Sequence, residues 1–245
     1  MEKKEFNSHI SNQLNRNLED LFNHILEMGG LVEVQLETAL QALGAGDVAK
    51  AKEVIVLDKV VNQAEMEIDR LCARVLARQQ PTASDLRLIL ATIRIAIDLE
   101  RMGDEVVKIA KMIIKFNEEY ATACRDYSGY AELLDIATRS NSMLKTSLNA
   151  FARVSTAEAL DIVNQEEEID VIYKNACDKV TNDFKAKPDQ VECLLEVIGA
   201  LRATERVSDH ARNIMESIVY LVQGQDVRSM DEERLMAFLA EIRED

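Results

Sequence analysis

Tryptophan is absent from this chain, and among its 245 residues there are only two prolines and eight glycines. Strand-rich folds turn often, and tight turns draw on Gly, Pro and Asn. An average globular chain carries about 12% Gly plus Pro, roughly three times the share found here. Sandwiches, barrels and doubly wound sheets are therefore disfavoured, and long helices with few connections are the natural reading. Aromatic residues are also scarce, at six Phe and five Tyr, so the core is aliphatic. No run of 18 apolar residues occurs, and the opening segment MEKKEFNSHI has no apolar stretch of the kind an export signal needs. The four cysteines, Cys72, Cys124, Cys177 and Cys193, show no CxxC spacing and no disulfide framework, so reduced thiols on helices are expected. Basic residues are outnumbered, 29 Lys+Arg against 44 Asp+Glu, for a net charge of −15. That field repels nucleic acid and anionic membrane. The expectation is a cytoplasmic protein with no nucleic-acid partner and no membrane insertion.

What the chain does contain, it contains twice. With a shift of 108, Leu40, Ala42, Leu43, Ala51, Val54, Asp58 and Asn62 fall on Leu148, Ala150, Phe151, Ala159, Ile162, Glu166 and Asp170. With a shift of 105, Leu90, Ile93, Glu100, Arg101, Asp104, Ile109 and Ile113 fall on Leu195, Ile198, Glu205, Arg206, Asp209, Ile214 and Ile218. The lost residues belong in one loop, QQPTASDLR in the first half and KAKPDQVE in the second. A period this long is a duplicated domain rather than a solenoid.

Each half reads as three helices. The first spans residues 8–43 and stops at Gly44-Ala45-Gly46; the second spans 47–79 and stops before Pro81; the third opens on Thr82-x-x-Asp85 and runs to 120. The counterpart of that opening is Asp189-x-x-Glu192, just after Pro188. Long helices with short connections lie antiparallel. The fold class is all-α: two tandem, pseudo-symmetric, antiparallel three-helix bundles at 1–122 and 123–225. A charged tail follows at 226–245, with a short amphipathic helix around Leu235, Phe238, Leu239 and Ile242.

Acids interrupt the apolar stripes. On the third helix, Arg87, Arg94, Asp98, Arg101, Glu105 and Lys108 share one face, read as solvated. Glu100 and Asp104 project away from it, on the side of Leu86, Ile93, Ile97 and Val107. On the second helix the stripe Ala51, Val54, Asp58, Asn62, Glu65, Asp69, Cys72, Leu76 is oxygen-rich in its middle. The second half repeats the pattern as Ala159, Ile162, Glu166, Asp170, Tyr173, Cys177, with Glu205 and Asp209 on its third helix. Like charges at i, i+4 repel, and burial raises the cost. Arg202 and Arg212, one turn from Glu205 and Asp209, are available as intrahelical partners; in the first half Ile97 and Val107 stand in those places. Carboxylates with an amide are hard oxygen donors that suit Mg²⁺, Mn²⁺ or iron. A ferritin-like centre needs Glu-x-x-His pairs, and none of His9, His24 and His210 supplies one. The residues leave three readings open: a cation-binding adaptor, a carboxylate-bound metal store or metal-dependent helical-bundle enzyme, and a metal-free scaffold. No nucleotide-binding, nucleophile-elbow or zinc-protease motif occurs.

The tandem elements Glu100-Arg101-Met102-Gly103-Asp104 and Glu205-Arg206-Val207-Ser208-Asp209 resemble the signature of the PhoU family of phosphate-specific transport system accessory proteins. So do QPTASDLR at 80–87, Met28-Gly29-Gly30 and the DKVVN element at 58–62. The resemblance implies a non-catalytic negative regulator of the phosphate-starvation response, limiting uptake and linking the ATPase PstB of the phosphate ABC transporter to the sensor kinase PhoR. It also implies a homodimer and metal clusters (Fe, Mn, Zn or Mg) held at Glu100, Asp104, Asp58, Asn62 and Glu65, and at Glu205, Asp209, Glu166 and Asp170. Ser208 stands where the family more often has Gly, and Tyr173 stands where the first half has Glu65, which implies weaker binding in the second half.

Overall fold

The computed structural model describes residues 12–244 other than 82 and 121. Seven α-helices follow one another: α1 Asn12–Ala45, α2 Val48–Gln79, α3 Ala83–Glu118, α4 Tyr130–Arg153, α5 Ala159–Ala186, α6 Val191–Gln223 and α7 Glu232–Glu244. No strand occurs among the described residues.

Local chemistry sets the boundaries. α1 continues past residue 43 because Gly46 (φ +65°), not Gly44, turns left-handed and ends it. Asp47 then caps α2, its carboxylate accepting from the N–H groups of Ala49 at 2.9 Å and Lys50 at 3.1 Å. Gln80 closes α2 in a left-handed conformation, and Pro81 prevents continuation. Thr82 and residues 8–11 lie outside the described residues. Asp85, the other half of the expected capping box, is buried in the first turn of α3. The expected Asp189-x-x-Glu192 start is corrected: Pro188–Gln190 forms a 3₁₀ turn, and α6 begins after Gln190, which makes no side-chain cap.

α2 packs on α1 and α3, and α5 packs on α4 and α6. The two units meet through α3 against α6 and α1 against α4. In section the order is α2, then α1 with α3, then α4 with α6, then α5. One hydrophobic core runs through all of it. The buried seam of α2 is Val54, Val61, Ile68 and Val75, a strict heptad; α5 repeats it as Ile162, Ile169 and Ala176. Of the stripe predicted from the sequence, Ala51, Val54 and Cys72 are buried, while its oxygen-rich middle, Asp58, Asn62, Glu65 and Asp69, lies at the rim.

The face of α3 read as solvated is instead largely the junction between the units. Asp98 accepts from His210 Nδ1 at 2.9 Å and from Asn213 Nδ2 at 3.2 Å. Glu105 is 5% exposed and pairs with Lys108 at 2.7 Å and Arg206 at 3.4 Å. Arg94 lies 4.5 Å over the Tyr220 ring and reaches Asp226 at 3.2 Å. Arg101 and Lys108 alone keep the exposure expected of that face. Charge on one helix does not reveal that a second helix carries its complement.

Met28-Gly29-Gly30 separates into two roles. A Cβ on Gly29 would overlap the Leu148 side chain, so this glycine lets α1 approach α4. Gly30 meets nothing within 4 Å. Gly30→Ala is therefore expected to stabilise the fold by about 1 kcal/mol, the helix-propensity difference, while Gly29→Ala, which must displace Leu148, is expected to destabilise it. Urea melts of the two variants check the opposite signs.

The amphipathic tail helix forms as expected. α7 buries Leu235 and Leu239, with Phe238 and Ile242 partly covered, and Arg243 pairs with Asp161 of α5 at 2.9 Å. All four cysteines are free, and burial pushes the Cys72 and Cys124 thiols up to about 12, so both are unreactive at neutral pH. Among the described residues no helix is long and apolar enough to cross a membrane.

Candidate functional site

The acid-x-x-x-acid element of α3 faces the oxygen-rich stretch of α2 across a surface groove. Asp58, Asn62, Glu65 and Glu100 are half-buried, and Asp104 is exposed. These acids line the rim of the core, where solvent reaches them, rather than lying inside it. The structure nevertheless brings Asp58, Glu65, Glu100 and Asp104 into one electrostatic group. Burial raises the Glu100 carboxyl above its ordinary range, and Asp104, Glu65 and Asp58 raise it further, while Arg101 opposes them. Burial likewise raises Asp58; a hydrogen bond from Gln35 opposes it, Asp104 adds to it, and Lys111 opposes it. Glu65 is raised by burial and by Asp69. Arg101 and Lys111 thus supply the cationic relief that Ile97 and Val107 cannot, which corrects the expectation that the first half has none.

Two features pin this groove together. Gly103 sits between Glu100 and Asp104; a Cβ there would lie 3.2 Å from Asp58 Oδ1 and 3.0 Å from Gln35 Oε1. The missing side chain is what allows α2 and α3 to close around the acids. Gln35, fully buried on α1, donates through Nε2 to Asp58 Oδ1 at 3.3 Å, to Val54 O at 3.3 Å and to Gly103 O at 3.4 Å. Its own Oε1, and Oδ1 of Asn62, are buried acceptors with no hydrogen-bond partner among the described residues. Such orphaned oxygens are costly. Gln35 was missed in the sequence; its signal was an amide between Val32, Leu36 and Ala39 in an otherwise apolar seam.

The second groove keeps an acid at three of these positions, with Asp170 in place of Asn62 and Tyr173 in place of Glu65, and has a different solution. Glu205 rises to about 7 through burial, then Asp209, Asp170 and Glu166; Asp209 rises to about 6 through burial, then Glu166. Arg212 does not pair with Asp209 as its spacing suggested. Its guanidinium crosses to Glu166 on α5 and binds Glu216 at 3.2 Å. Arg202 is exposed and acts on Glu205 only through space. Ser208, in the place of Gly103, turns its hydroxyl back onto the Glu205 carbonyl at 2.5 Å. Tyr173, in the place of Glu65, is pushed up to about 12 by burial and contact with Cys177, so it offers a phenol rather than a charge.

The donor set of the first groove is all oxygen and includes an orphaned amide carbonyl, which is the chemistry a hard cation takes. The second groove already holds a guanidinium. As the side chains lie, no three His, Cys, Asp or Glu groups among the described residues converge closely enough to hold an ion. No side chain in either groove is arranged as a nucleophile with its base.

Comparison with known proteins accounts for the duplication. The family model described as the PhoU domain matches residues 25–113 and again 133–218. The phosphate-specific transport system accessory protein PhoU homolog of Pseudomonas putida is 43% identical over 96% of this chain and 90% of its own length. The crystal structure of PhoU from Pseudomonas aeruginosa superposes with a TM-score of 0.80 at 41% identity, covering 86% of this chain and 99% of that one. That of the phosphate transport system regulatory protein PhoU from Streptococcus pneumoniae gives 0.74 at 31% identity, covering 86% and 97%. With both repeats matched and the fold shared, the chain belongs to the PhoU family.

Proposed function

We propose that the protein is a cytoplasmic, non-catalytic adaptor that represses the phosphate-starvation response and limits phosphate uptake. It does so by bridging the transporter ATPase PstB and the sensor kinase PhoR. The observation that carries this reading is near-full-length similarity to phosphate-specific transport system accessory proteins in a chain whose grooves hold no catalytic pair. Long helices on both flanks supply the docking area. In a strain lacking the gene, a phosphate-starvation reporter is expected to be constitutively active in rich phosphate; normal repression there would refute the role.

The first groove is the cation site in this reading, with Asp58, Asn62, Glu65, Glu100 and Asp104 as its oxygen donors. The second, from Glu166, Asp170, Glu205 and Asp209, is served by Arg212 and binds weakly. A divalent or trivalent ion (Fe, Mn, Zn or Mg) would supply positive charge on a chain of net −15, enough to meet a phosphate-bearing partner that the bare surface repels. Because a ligand that binds only the folded form raises the melting temperature, 1 mM MnCl₂ (roughly 100 times an assumed ~10 μM Kd) is expected to stabilise the wild type by about 2–3 kcal/mol. Glu100→Ala/Asp104→Ala should lose most of that gain. An equal shift in both proteins would remove the groove from cation binding. Many ions per chain together with oxidase turnover would instead favour the store or enzyme reading.

A further inference from the structure

The linker from α6 to α7 crosses α3 through a set of charges that the repeat does not explain. Gly224 ends α6 in a left-handed turn (φ +77°), and a Cβ there would overlap the Arg87 guanidinium, so the chain leaves α6 pressed onto α3. Two residues on, Asp226 lies between two arginines. Arg228 grips it through Nε at 2.9 Å and Nη2 at 2.6 Å, and Arg94 of α3 reaches it through Nη2 at 3.2 Å. Arg228 foremost, with Arg94 adding to it, holds the Asp226 carboxyl down to about 2. The 105-residue shift carries Arg94 onto Gly199 and Asp98 onto Ala203, so the second half has no such arrangement. Asp226 and Arg228 also lie beyond the second family match, which ends at residue 218.

A cleft of about 330 Å³ lies between α3, α6 and this linker, a size within the range of small-molecule sites. Its acids already have partners. Asp98 accepts from His210 and Asn213, and Glu216 pairs with Arg212 at 3.2 Å. Its donors do not. Arg94 Nη1 is buried with no hydrogen-bond partner, and the hydroxyl of Ser217, a residue 2% exposed that lines the cleft, has none either among the described residues. Buried donors left unmade are costly. Two guanidiniums also share one carboxylate, a local surplus of positive charge on a chain of net −15. A latch that only tied down the linker would need one arginine and no serine. Unpaired donors beside two cations call for an acceptor with more oxygens and more charge than a carboxylate, and a phosphate group has both.

We propose that this cleft is a phosphate-recognition site held shut by the chain's own Asp226, whose carboxylate a phosphate group displaces from Arg94 and Arg228. The planar fork of each arginine suits such an oxyanion, and Ser217 adds a neutral donor. Ile97, 42% exposed on the lining of the cleft, offers an apolar contact to whatever carries the phosphoryl group. The site uses neither acidic groove, so the inference stands apart from the cation reading.

Phosphate titrations of the full chain test it, followed through the arginine Nε–H signals in nitrogen-correlated NMR spectra. With EDTA present to keep cations out of the grooves, inorganic phosphate up to about 50 mM is expected to shift the Arg94 and Arg228 signals saturably, and chloride of equal ionic strength is not. Asp226→Asn, which removes the competing carboxylate, is expected to tighten binding about fivefold or more. Arg228→Met is expected to weaken it about tenfold or more, and Ser217→Ala about threefold. The gain in Asp226→Asn cannot be imitated by a loss of folding. Phenyl phosphate distinguishes the sources of the group. A margin of about threefold over inorganic phosphate that Ile97→Ser removes assigns the phosphoryl group to a larger molecule, and equal affinities assign it to the free ion. The absence of a saturable shift at these arginines in both wild type and Asp226→Asn would overturn the proposal, as would one affinity shared by wild type, Asp226→Asn and Arg228→Met.

Discussion

Phe151→Ala is expected to cost about 3–5 kcal/mol of folding free energy, the range for deleting a fully buried aromatic. Phe151 is 0% exposed, and its ring stacks on Phe22 of α1 at 4.6 Å between centroids with 20° between planes. The pair adds about 0.5–1.5 kcal/mol beyond its area. Its position matters more than its size. α1 belongs to one repeat and α4 to the other, so the stack ties the two units through the shared core. For a chain of this length each kcal/mol moves the melting temperature by about 2–4 °C, so a fall of roughly 10 °C is expected. The wild type should unfold in one cooperative transition because its core is continuous. Phe151→Leu, which keeps most of the volume, should cost under about 1.5 kcal/mol. If the alanine variant lost less than about 1 kcal/mol, or if wild-type α1–α3 and α4–α6 melted separately, the stack would not be what joins them.

The helices and the duplication were legible because they are written in local chemistry. Scarce Gly and Pro, the Asp47 cap and the turn at Gly46 act over a few residues and work the same way in any fold. The candidate acids were legible for a related reason, since carboxylates at i, i+4 beside apolar residues are improbable without a partner. What the sequence could not show was which faces meet. Asp98 and Glu105 look solvated on α3 alone; their partners His210 and Arg206 lie 112 and 101 residues away on α6. Arg212 looked like a partner for Asp209 one turn off, yet Glu166 across the groove wins because it is more deeply buried and gains more from a cation. Ala51, Val54 and Cys72 of the predicted α2 stripe are buried as expected, but between them the stripe follows the acids rather than Val61 and Ile68, because both sets have helical spacing. The strict heptad of Val54, Val61, Ile68 and Val75 was the discriminating pattern, and it is visible in the sequence once sought.

Arg212→Met is expected to cost about 3 kcal/mol at pH 8, and much less at pH 5. The side chains of Glu166 and Glu216 are 10% and 12% exposed, and Arg212 contacts both. Removing the charge while keeping the volume leaves two nearly buried carboxylates without their cation, which is the costly way to break a buried pair. The pH dependence follows from the direction of the shifts around it. Glu205 at about 7 and Asp209 at about 6 lie above their unfolded values of 4.5 and 3.8. The folded chain therefore holds more protons than the unfolded chain between about pH 4 and 7. Their contribution to stability is fully present below the unfolded values and is lost as pH rises through 6 and 7. Burial also raises the Glu216 carboxyl and Arg212 opposes that rise, so removing Arg212 raises it further and steepens the decline toward alkaline pH. Urea unfolding at pH 5 and pH 8 measures the difference. Equal losses at both would mean that the Arg212 stem acts by packing alone. The variant also makes the second groove resemble the first, with oxygens and no guanidinium. It should then gain a Mn²⁺-dependent rise in stability at pH 8 that the wild-type second groove, with its own resident cation, has little need of.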